Sequence, residues 1–460
     1  MVTVAVLTAV AVELAYSSRV SLQIAANARD ELRASYAARG GVNLARLVLS
    51  FQQQLDGAAG LSGGGANLAS LATAAGGATA AGGATAAGGA TTAGGAAAGL
   101  AGALAGLAGG MPRVQLWNLV PVTSELGEGL FPTATQATAA TPAIPATAAT
   151  AATPATPATA AGRGGAGAVT FDARVEDEGT KVNAQLDGFV QGADRKVLQR
   201  TQTLYQLFCD AKWDPLFDRE DAKGNKVARE GLLVNLRDWV DDNERTSELN
   251  RGGSPANCGL VVGAPPFVDA FGDENQPYDK GEDRYRAKNA HMDSLDELYL
   301  VAGIGDAFMA AFRDNLTVYL PFNAKQNVNV TDRQRLLDNA RAIADQPLNP
   351  MFLDPTFADR LQKAVMERTL GGILSITPKD FQTLVELAGV KTNPAAVGGS
   401  GTSTGNDALT DRSDTFRIRA KGTAGAVTTG IDAVVRMESV QQTMGQPMAA
   451  PGRLVHWREE

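Results

Sequence analysis

The sequence has few of the side chains on which catalytic sites most often depend. Its 460 residues include only two histidines, His291 and His456, which lie far apart in the chain. The only cysteines, Cys209 and Cys258, are too widely separated to form a zinc-type cysteine pair. Asp and Glu are numerous, so a pair of carboxylates does not by itself indicate general acid–base chemistry. We therefore expect a protein without enzymatic activity.

The two cysteines are compatible with two states. In an oxidising compartment, Cys209 and Cys258 can pair and close a loop of about 50 residues, which stabilises a fold whose geometry allows the bond. In a reducing compartment, they stay as two separate thiols. The sequence leaves both states open.

The chain also lacks an excess of positive charge. Its formal net charge is −8, and its pI is about 5.1. This balance gives no overall attraction to nucleic acid or to anionic lipid. Any nucleic-acid site would therefore have to depend on a local cluster of basic residues.

The one motif that suggests such a site surrounds Gly303-Ile304-Gly305. It predicts a helix, a tight glycine turn and a second helix, whose first amides can hold a phosphate. A phosphate backbone also requires nearby cations. Only Arg313 is basic here, against the acidic residues Asp293, Asp296, Glu297, Asp306 and Asp314. We therefore expect packing glycines and no nucleic-acid binding; a helix-hairpin-helix nucleic-acid-binding protein is the alternative from a different functional class.

The N-terminal apolar run is short for a membrane span. It extends from Met1 to Val12, against the ~20 residues that cross a bilayer, and it ends at Glu13. No basic region precedes it and no small-residue cleavage site follows it, so it is not a complete secretory signal. We expect Met1 to lie inside a longer apolar helix, with further residues upstream.

A helix is predicted to continue well beyond this run. Residues 14–51 contain no proline, and an apolar stripe is formed by Leu44, Leu47, Val48 and Phe51. The pair Gly40-Gly41 is expected to bend the rod. An apolar front and an amphipathic back are typical of a membrane-anchored subunit that later packs in a filament; an ordinary buried helix is the alternative.

Two segments have too few large apolar side chains to build a core. Residues 57–110 are almost entirely Ala, Gly, Thr, Leu and Ser, and residues 132–168 are rich in Thr, Ala and Pro. We interpret them as a low-complexity insertion and a flexible linker.

The rest of the chain predicts strands that flank a helical block. Strands are expected over residues 169–175 and 181–183, and later over 415–420, 431–437 and 454–457. Between them, helices are expected over residues 194–210, 232–240, 331–344 and 378–389. This order indicates an α+β fold in which a helical domain is inserted into a β-sheet.

Several motifs in this order resemble the minor pseudopilin K of type II secretion systems, also called general secretion pathway protein K. They begin with the stem sequence VELAYSSRVSLQIAANARDELRASYAARGGVN and the turn DEGTKVNAQ. They continue with residues 236–242, Gly272-Asp273-Glu274, and Tyr278, Tyr285 and Asn289. SLDELYLVAGI, Asn327-Val328-Asn329-Val330 and the final LVHWREE segment complete the set. The resemblance covers most of the chain outside the low-complexity segments.

The resemblance implies a pilin-like long N-terminal helix on an antiparallel β-sheet, with a large inserted helical domain that contains a helix-hairpin-helix or SAM-like unit. The corresponding division of the chain is a stem over 1–56, an insertion over 57–110, the first part of the sheet over 111–131 and 169–190, a linker over 132–168, the inserted α-domain over 191–393, a flexible loop over 394–408 and the C-terminal strands over 409–460.

The resemblance also implies a site, partners and a location. Ca²⁺ is the candidate cofactor, and the matching acidic positions are Asp241, Asp242, Asp273 and Glu274. The implied partners are minor pseudopilins I and J and other pseudopilins, with prepilin peptidase acting on the full-length precursor. The stem is expected to cross the inner membrane once, placing the head in the periplasm at the tip of the pseudopilus.

We predict that Leu44, Leu47 and Val48 of the stem form the contacts with partner subunits. A minor pilin of a type IV pilus is the alternative within the same class. The family's prepilin-peptidase site, a Gly followed by an apolar helix, is absent from the printed sequence.

Overall fold

The computed structural model describes most of the chain outside the two low-complexity segments. The described residues are 2–61, 114–126, 169–186, 195–217, 228–252, 258–261, 264–279, 284–321, 324–346, 349–393, 397, 408–437 and 452–460. The predictions for residues 62–110 and 132–168 lie outside these ranges.

A single helix, α1 (Val2–Leu61), forms the N-terminal stem. Its 60 residues correspond to about 90 Å at the usual helical rise of about 1.5 Å per residue. The helix runs through Gly40 and Gly41 without a break. Among the described residues, no helix has a stretch long and apolar enough to cross a membrane.

The second half of α1 packs against an antiparallel sheet of five strands, in the order β1-β2-β9-β10-β11. The strands are β1 (Val122–Thr123), β2 (Val169–Asp177), β9 (Thr415–Ala424), β10 (Val427–Arg436) and β11 (Arg453–Glu459). Alternate residues of β9 face the stem: Phe416, Ile418 and Ala420 share a core with Val42 and Leu49 of α1. The structure therefore confirms the predicted α+β architecture of a long helix on an antiparallel sheet.

Small residues let the stem lie close to the sheet. Ala34, Ala38 and Ala45 are fully buried on the face of α1 that meets the strands. A Cβ atom on Gly422 of β9 would lie 2.0 Å from the backbone oxygen of Ala34. A Cβ on Gly41 would lie 3.1 Å from the ring of Phe171. The glycine pair thus serves close packing at Gly41.

The predicted partner-contact stripe needs correction. Leu44 and Val48 are buried against this chain's own sheet, and Leu47 packs at the edge of the same core. Of the predicted stripe, only Phe51 is exposed. The buried face is centred on alanines and Gly41, which carry little hydrophobic signal in a sequence but permit close approach. These three residues therefore face inward, and the surface that α1 presents to solvent lies elsewhere.

The inserted region covers the opposite face of the sheet. Arg458 Nη1 of β11 donates to Asp296 Oδ2 at 2.7 Å, and the His456 ring lies 5.2 Å from that of Tyr319. Arg417 of β9 stacks over the same tyrosine at 5.4 Å. The sheet is therefore sandwiched between the stem and the inserted region.

The inserted region has two hydrophobic cores. The first joins residues between Val182 and Tyr319 with Val434 of β10, and the second joins residues between Val328 and Leu409. The helices of the first are Arg195–Phe208, Asp214–Phe217, Arg229–Val240 and Asp306–Phe312; those of the second are Arg333–Ile343, Pro355–Arg368 and Pro378–Leu387. One further short helix, Leu116–Leu119, packs on α1.

The inserted region also contains strands that the sequence did not predict. They are β4 (Arg245–Leu249) with β5 (Phe267–Asp273), β6 (Leu316–Thr317) and β7 (Gln326–Asn327). β3 (Val182–Asn183) pairs in parallel with β6, and β8 (Leu409–Thr410) pairs in parallel with β7. Both β3 and β8 were assigned to the main sheet, so these two short strands instead join the inserted region to its flanks.

The predicted helical hairpin at Gly303 is formed by two short helices. Its first helix is a 3₁₀ helix, Leu295–Leu300, and its second is the short α-helix Asp306–Phe312. Gly303 has a φ of +90°, which favours glycine, and Ile304 is buried in the first core. The hairpin therefore packs inside the inserted region.

Candidate metal centre

Two of the predicted ligands meet at one end of a hairpin. Asp241 caps the helix Arg229–Val240 and precedes β4, and Glu274 directly follows β5. β4 and β5 are antiparallel, with Arg245 opposite Asp273. The start of β4 and the end of β5 therefore lie side by side, which brings the two acidic loops together.

The carboxylates of Asp241 and Glu274 are buried without well-formed hydrogen bonds. Their side chains belong to residues that are only 4% and 2% exposed. Within the described part of the chain, none of their four oxygens has a donor in good hydrogen-bond geometry, and Oδ1 of Asn289 is in the same condition. Asn243 beside Asp241 and the Asn289 side chain beside Glu274 lower the pKa of these acids, but by less than burial raises it. Leaving buried polar oxygens unsatisfied is costly, so each such group needs an explanation.

The local charge is strongly negative. Asp238, one helical turn before Asp241, is buried and accepts a hydrogen bond from the Ser247 amide at 3.0 Å. Arg237 Nε lies 3.4 Å from Asp241 Oδ2 and also donates through Nη1 to the Leu186 carbonyl. Three buried acids therefore face one buried guanidinium.

This imbalance shifts the protonation of the acids. Burial first, and then the charges of Asp241, Asp238 and Asp273, raise the pKa of Glu274 to about 7. Burial raises the pKa of Asp238 to about 6, with the charge of Asp241 adding to it. Burial likewise raises the pKa of Asp241. Without a cation, the cluster relieves its repulsion by holding protons.

The residues around the cluster are held firmly. Asn289 adopts a left-handed backbone with φ of +50°, donates its amide to the Trp239 carbonyl at 3.0 Å, and donates Nδ2 to the Asn243 carbonyl at 3.1 Å. The rings of Trp239, Tyr278 and Tyr285 pack together, with centroids 5.3 to 6.2 Å apart. A side-chain oxygen held in this way is preorganised to bind a ligand.

The other two predicted ligands are placed differently. Asp242 and Asp273 are exposed, and Asp273 Oδ1 accepts the Asn275 amide at 2.9 Å. The structure thus brings Asp241 and Glu274 together in the interior and leaves Asp242 and Asp273 at the surface. Asp238 and Asn289 were not among the predicted ligands, although Asp238 lies three residues before Asp241 on one helix, a spacing that places both on the same face.

The cluster fits an oxygen-binding cation only in part. In the portion of the chain that the structure describes, no three carboxylate, imidazole or thiolate groups lie close enough together to hold a metal by themselves. Ca²⁺, however, also accepts amide and backbone carbonyls and water. Asp241, Glu274 and Asn289 supply five unsatisfied oxygens to such a shell. The donor set is all oxygen, which suits Ca²⁺ and does not suit zinc.

The two cysteines lie in the same half of the inserted region. Cys209 and Cys258 are joined in a disulfide, with Cα atoms 6.3 Å apart and a sequence separation of 49. Cys258 has a φ of +43°. The bond ties the end of the helix Arg195–Phe208 to the loop between β4 and β5.

The first half of the described stem has an unusual surface. From Val12 to Leu32, large apolar side chains point into solvent, including Leu14, Tyr16, Leu22 and Ile24. From Ala34 onward, one face is buried by the sheet. The change occurs within one uninterrupted helix.

Similarity to known proteins is found among solved structures. No protein-family model matches the chain, and no curated protein matches it. The chain is similar to a chain in the crystal structure of the GspK–GspI–GspJ complex from the enterotoxigenic Escherichia coli type 2 secretion system, with 10% sequence identity and a TM-score of 0.34. The match covers 64% of this chain and 80% of that chain.

Proposed function

We propose that this protein is a minor pseudopilin of a type II secretion system, a structural subunit at the tip of the pseudopilus. The observation that carries the proposal is the division of α1. Residues 34–52 bury one face on the protein's own sheet, whereas the exposed apolar residues of 12–32 have no cover among the described residues. A helix with bare apolar side chains gains stability by packing against other helices or lipid.

The head supports a position at the tip. The stem and sheet form the pilin-like part, and the inserted region adds two further cores, the first of which lies on the far face of the sheet. A subunit this wide leaves little room for another subunit to stack above it. The proposed partners are minor pseudopilins I and J, followed by other pseudopilins through the stem.

The membrane and processing steps belong to the same proposal. Before assembly, the stem anchors the subunit once in the inner membrane, and prepilin peptidase acts on the full-length precursor. The head then lies in the periplasm, an oxidising compartment suited to the Cys209–Cys258 disulfide. The role is mechanical, with no catalytic step.

Calcium is the proposed cofactor. Asp241 and Glu274 would hold it with the Asn289 amide oxygen, and Asp238 would lie beside it as a further negative charge. The bound ion would neutralise the buried acids and fix the loops that flank β4 and β5. The five buried oxygens that have no donor in good hydrogen-bond geometry support this role.

Crosslinking along the stem tests the function. A photoreactive amino acid is placed at Leu14 or Ile24 in the full chain, co-expressed with pseudopilins I and J, and compared with the same group at Leu49. The two exposed positions are 68% and 64% exposed, whereas Leu49 is 1% exposed. We expect crosslinks to the pseudopilin stems from positions 14 and 24 and none from 49.

The crosslinking result also discriminates the alternatives. If neither position 14 nor position 24 gives a crosslink to pseudopilin I or J, the proposal is contradicted. Crosslinks to subunits of a type IV pilus, in cells that contain both systems, would favour the alternative role as a minor pilin. A shift of random duplex DNA at low salt would favour the helix-hairpin-helix alternative, against the acidic flanks of Gly303.

A further inference from the structure

The most exposed large apolar side chain in the described part of the chain is Phe271 of β5. Its ring is fully exposed to solvent. Val268 of the same strand is also exposed. An exposed phenylalanine contributes nothing to the core, and burying such a ring elsewhere releases a large apolar area from water.

A β-bulge places Phe271 outward. Asp269 pairs with Ser247 and Asp273 pairs with Arg245, so three residues of β5 lie opposite Thr246 alone. Bulges of this kind turn a side chain away from the regular pleat. The strand returns to its partner immediately afterwards at Asp273, so the displacement is confined to the segment that carries the ring.

The outer edge of β5 is open among the described residues. β4 and β5 form a sheet of two strands, in which β5 pairs only with β4. β4 packs on the helix Arg229–Val240, so the hairpin is anchored on its β4 side. Val268, Asp269 and residues 271–273 are exposed. A free strand edge of this kind accepts a further strand from another chain.

The hairpin surface is acidic even without the two exposed candidate ligands Asp242 and Asp273. Glu244, Glu248 and Asp269 are exposed beside and on the two strands, against two exposed guanidinium groups in this segment, Arg245 and Arg251. A partner that presents acidic groups here would be repelled. A partner with basic groups is favoured by charge complementarity.

We propose that the β4–β5 hairpin is a docking surface for a basic, extended segment of another protein. The segment would add as a strand to the outer edge of β5, its basic side chains would be attracted by the acidic groups of the hairpin, and its apolar side chains would cover the ring of Phe271. This surface is separate from the stem, so the inference stands independently of the proposed pseudopilus role.

Binding of a defined peptide tests the proposal. The probe is a short synthetic peptide of alternating lysine and valine, titrated against the full chain in a non-ionic detergent, with an alternating glutamate–valine peptide as the charge control. We expect the lysine peptide to bind and the glutamate peptide not to bind, and we expect salt to weaken the binding. Phe271→Ser should weaken it by about tenfold or more, as expected for an aromatic anchor.

Two variants make the test specific. Leu387→Ser removes another exposed apolar side chain, at the end of the helix Pro378–Leu387. Leu387 is 79% exposed, and its substitution should leave binding unchanged. The double variant Glu248→Lys with Asp269→Lys should abolish binding of the lysine peptide. All variants should melt at the temperature of the parent chain, because the substituted side chains are exposed.

Three results would overturn the proposal. The first is no binding of the lysine peptide at millimolar concentration, or equal binding by the Phe271→Ser chain. The second is concentration-dependent self-association in sedimentation that Phe271→Ser removes, which would make the occupant a second copy of this chain. The third is flotation with lipid vesicles that falls in the Phe271→Ser chain, which would make the occupant a membrane.

Discussion

Two buried glutamates in this protein have opposite surroundings. Glu178, at the end of β2, is 0% exposed, and Glu274 is 2% exposed. Glu178 Oε1 accepts from Lys181 Nζ at 2.7 Å and from Arg417 Nε at 2.7 Å. Glu274 has no donor in good hydrogen-bond geometry within the described part of the chain and lies among other acids.

Two glutamates that are both buried therefore have pKa values shifted in opposite directions. Burial opposes ionisation of Glu178, but the charges of Lys181 and Arg417 outweigh it and lower the pKa. At Glu274, burial and neighbouring carboxylates act together and raise the pKa to about 7. The difference indicates that the fold supplies its own cations at the sheet, whereas the loop cluster depends on protons or on a cation from solution.

The largest expected effect on stability comes from removing the buried guanidinium group of Arg417 at the sheet. Arg417→Ala leaves Glu178 buried with Lys181 alone, and removing one partner of a buried ion pair costs about 3–5 kcal/mol. We expect denaturant unfolding to report a loss of this size. Arg419→Ala is the matched control, because Arg419 is 45% exposed and its ion pair with Glu176 contributes about 0–1 kcal/mol. Equal losses in the two variants would remove the contrast.

The next effect comes from supplying a cation to the loop cluster. At about a hundred times its dissociation constant, Ca²⁺ should stabilise the folded chain by about 2.7 kcal/mol. Glu274→Gln should abolish that gain and, without Ca²⁺, should unfold no more readily than the parent chain, since it removes an unpaired buried acid. Thermal unfolding with and without EDTA measures both changes. If Ca²⁺ still stabilises the Glu274→Gln chain as it does the parent chain, Glu274 is excluded as a ligand.

The two glutamates should also respond oppositely to pH. The pKa of Glu274 is raised from 4.5 to about 7, so the folded chain in EDTA should lose stability as pH rises from about 4.5 through 7. Glu274→Gln should flatten this loss. The pKa of Glu178 is lowered, so its contribution is fully present above pH 4.5 and is lost only as pH falls further, through its folded pKa. Unfolding free energies measured from pH 3 to 8 report both trends. If the free energy of unfolding in EDTA rises between pH 5 and 7, and rises equally in the parent chain and in Glu274→Gln, the prediction for Glu274 is wrong.

The smallest effect is expected at the exposed acids of the same loops. Asp242→Asn and Asp273→Asn change side chains that lie at the surface, where substitutions alter stability by about 0.5 kcal/mol or less. Their calcium response should stay close to that of the parent chain. A complete loss of the response in either variant would move the site outward, to the predicted acids that the structure leaves exposed.

The sequence singled out the two acidic loops that meet, but not which of their acids are buried. Asp241-Asp242 and Asp273-Glu274 were expected to act as two pairs, but one member of each pair is buried. Which member points inward depends on the helix end at Val240 and the strand end at Asp273, and those boundaries are set by tertiary packing. Asn289 was not predicted as a ligand, because an uncharged amide in a loop gives no sign that its oxygen is buried.

Long-range pairing limited the prediction of the fold in the same way. The stem, the three C-terminal strands and the inserted helical region follow from periodicity and composition. The Glu178–Arg417 pair does not, since 239 residues separate its members and charged residues are mostly exposed. The buried face of α1 was missed because Ala34, Ala38 and Gly41 pack by their small size and give little hydrophobic signal.

Calcium titration calorimetry on the EDTA-treated full chain tests most directly whether the loop cluster needs a cation. We predict a single-site binding heat in the parent chain, a rise in its melting temperature, and neither response in Glu274→Gln. If Ca²⁺ gives the parent chain neither heat nor a higher melting temperature, the buried acids of Asp241 and Glu274 are balanced by Arg237 and by protons, and the proposed metal centre is wrong.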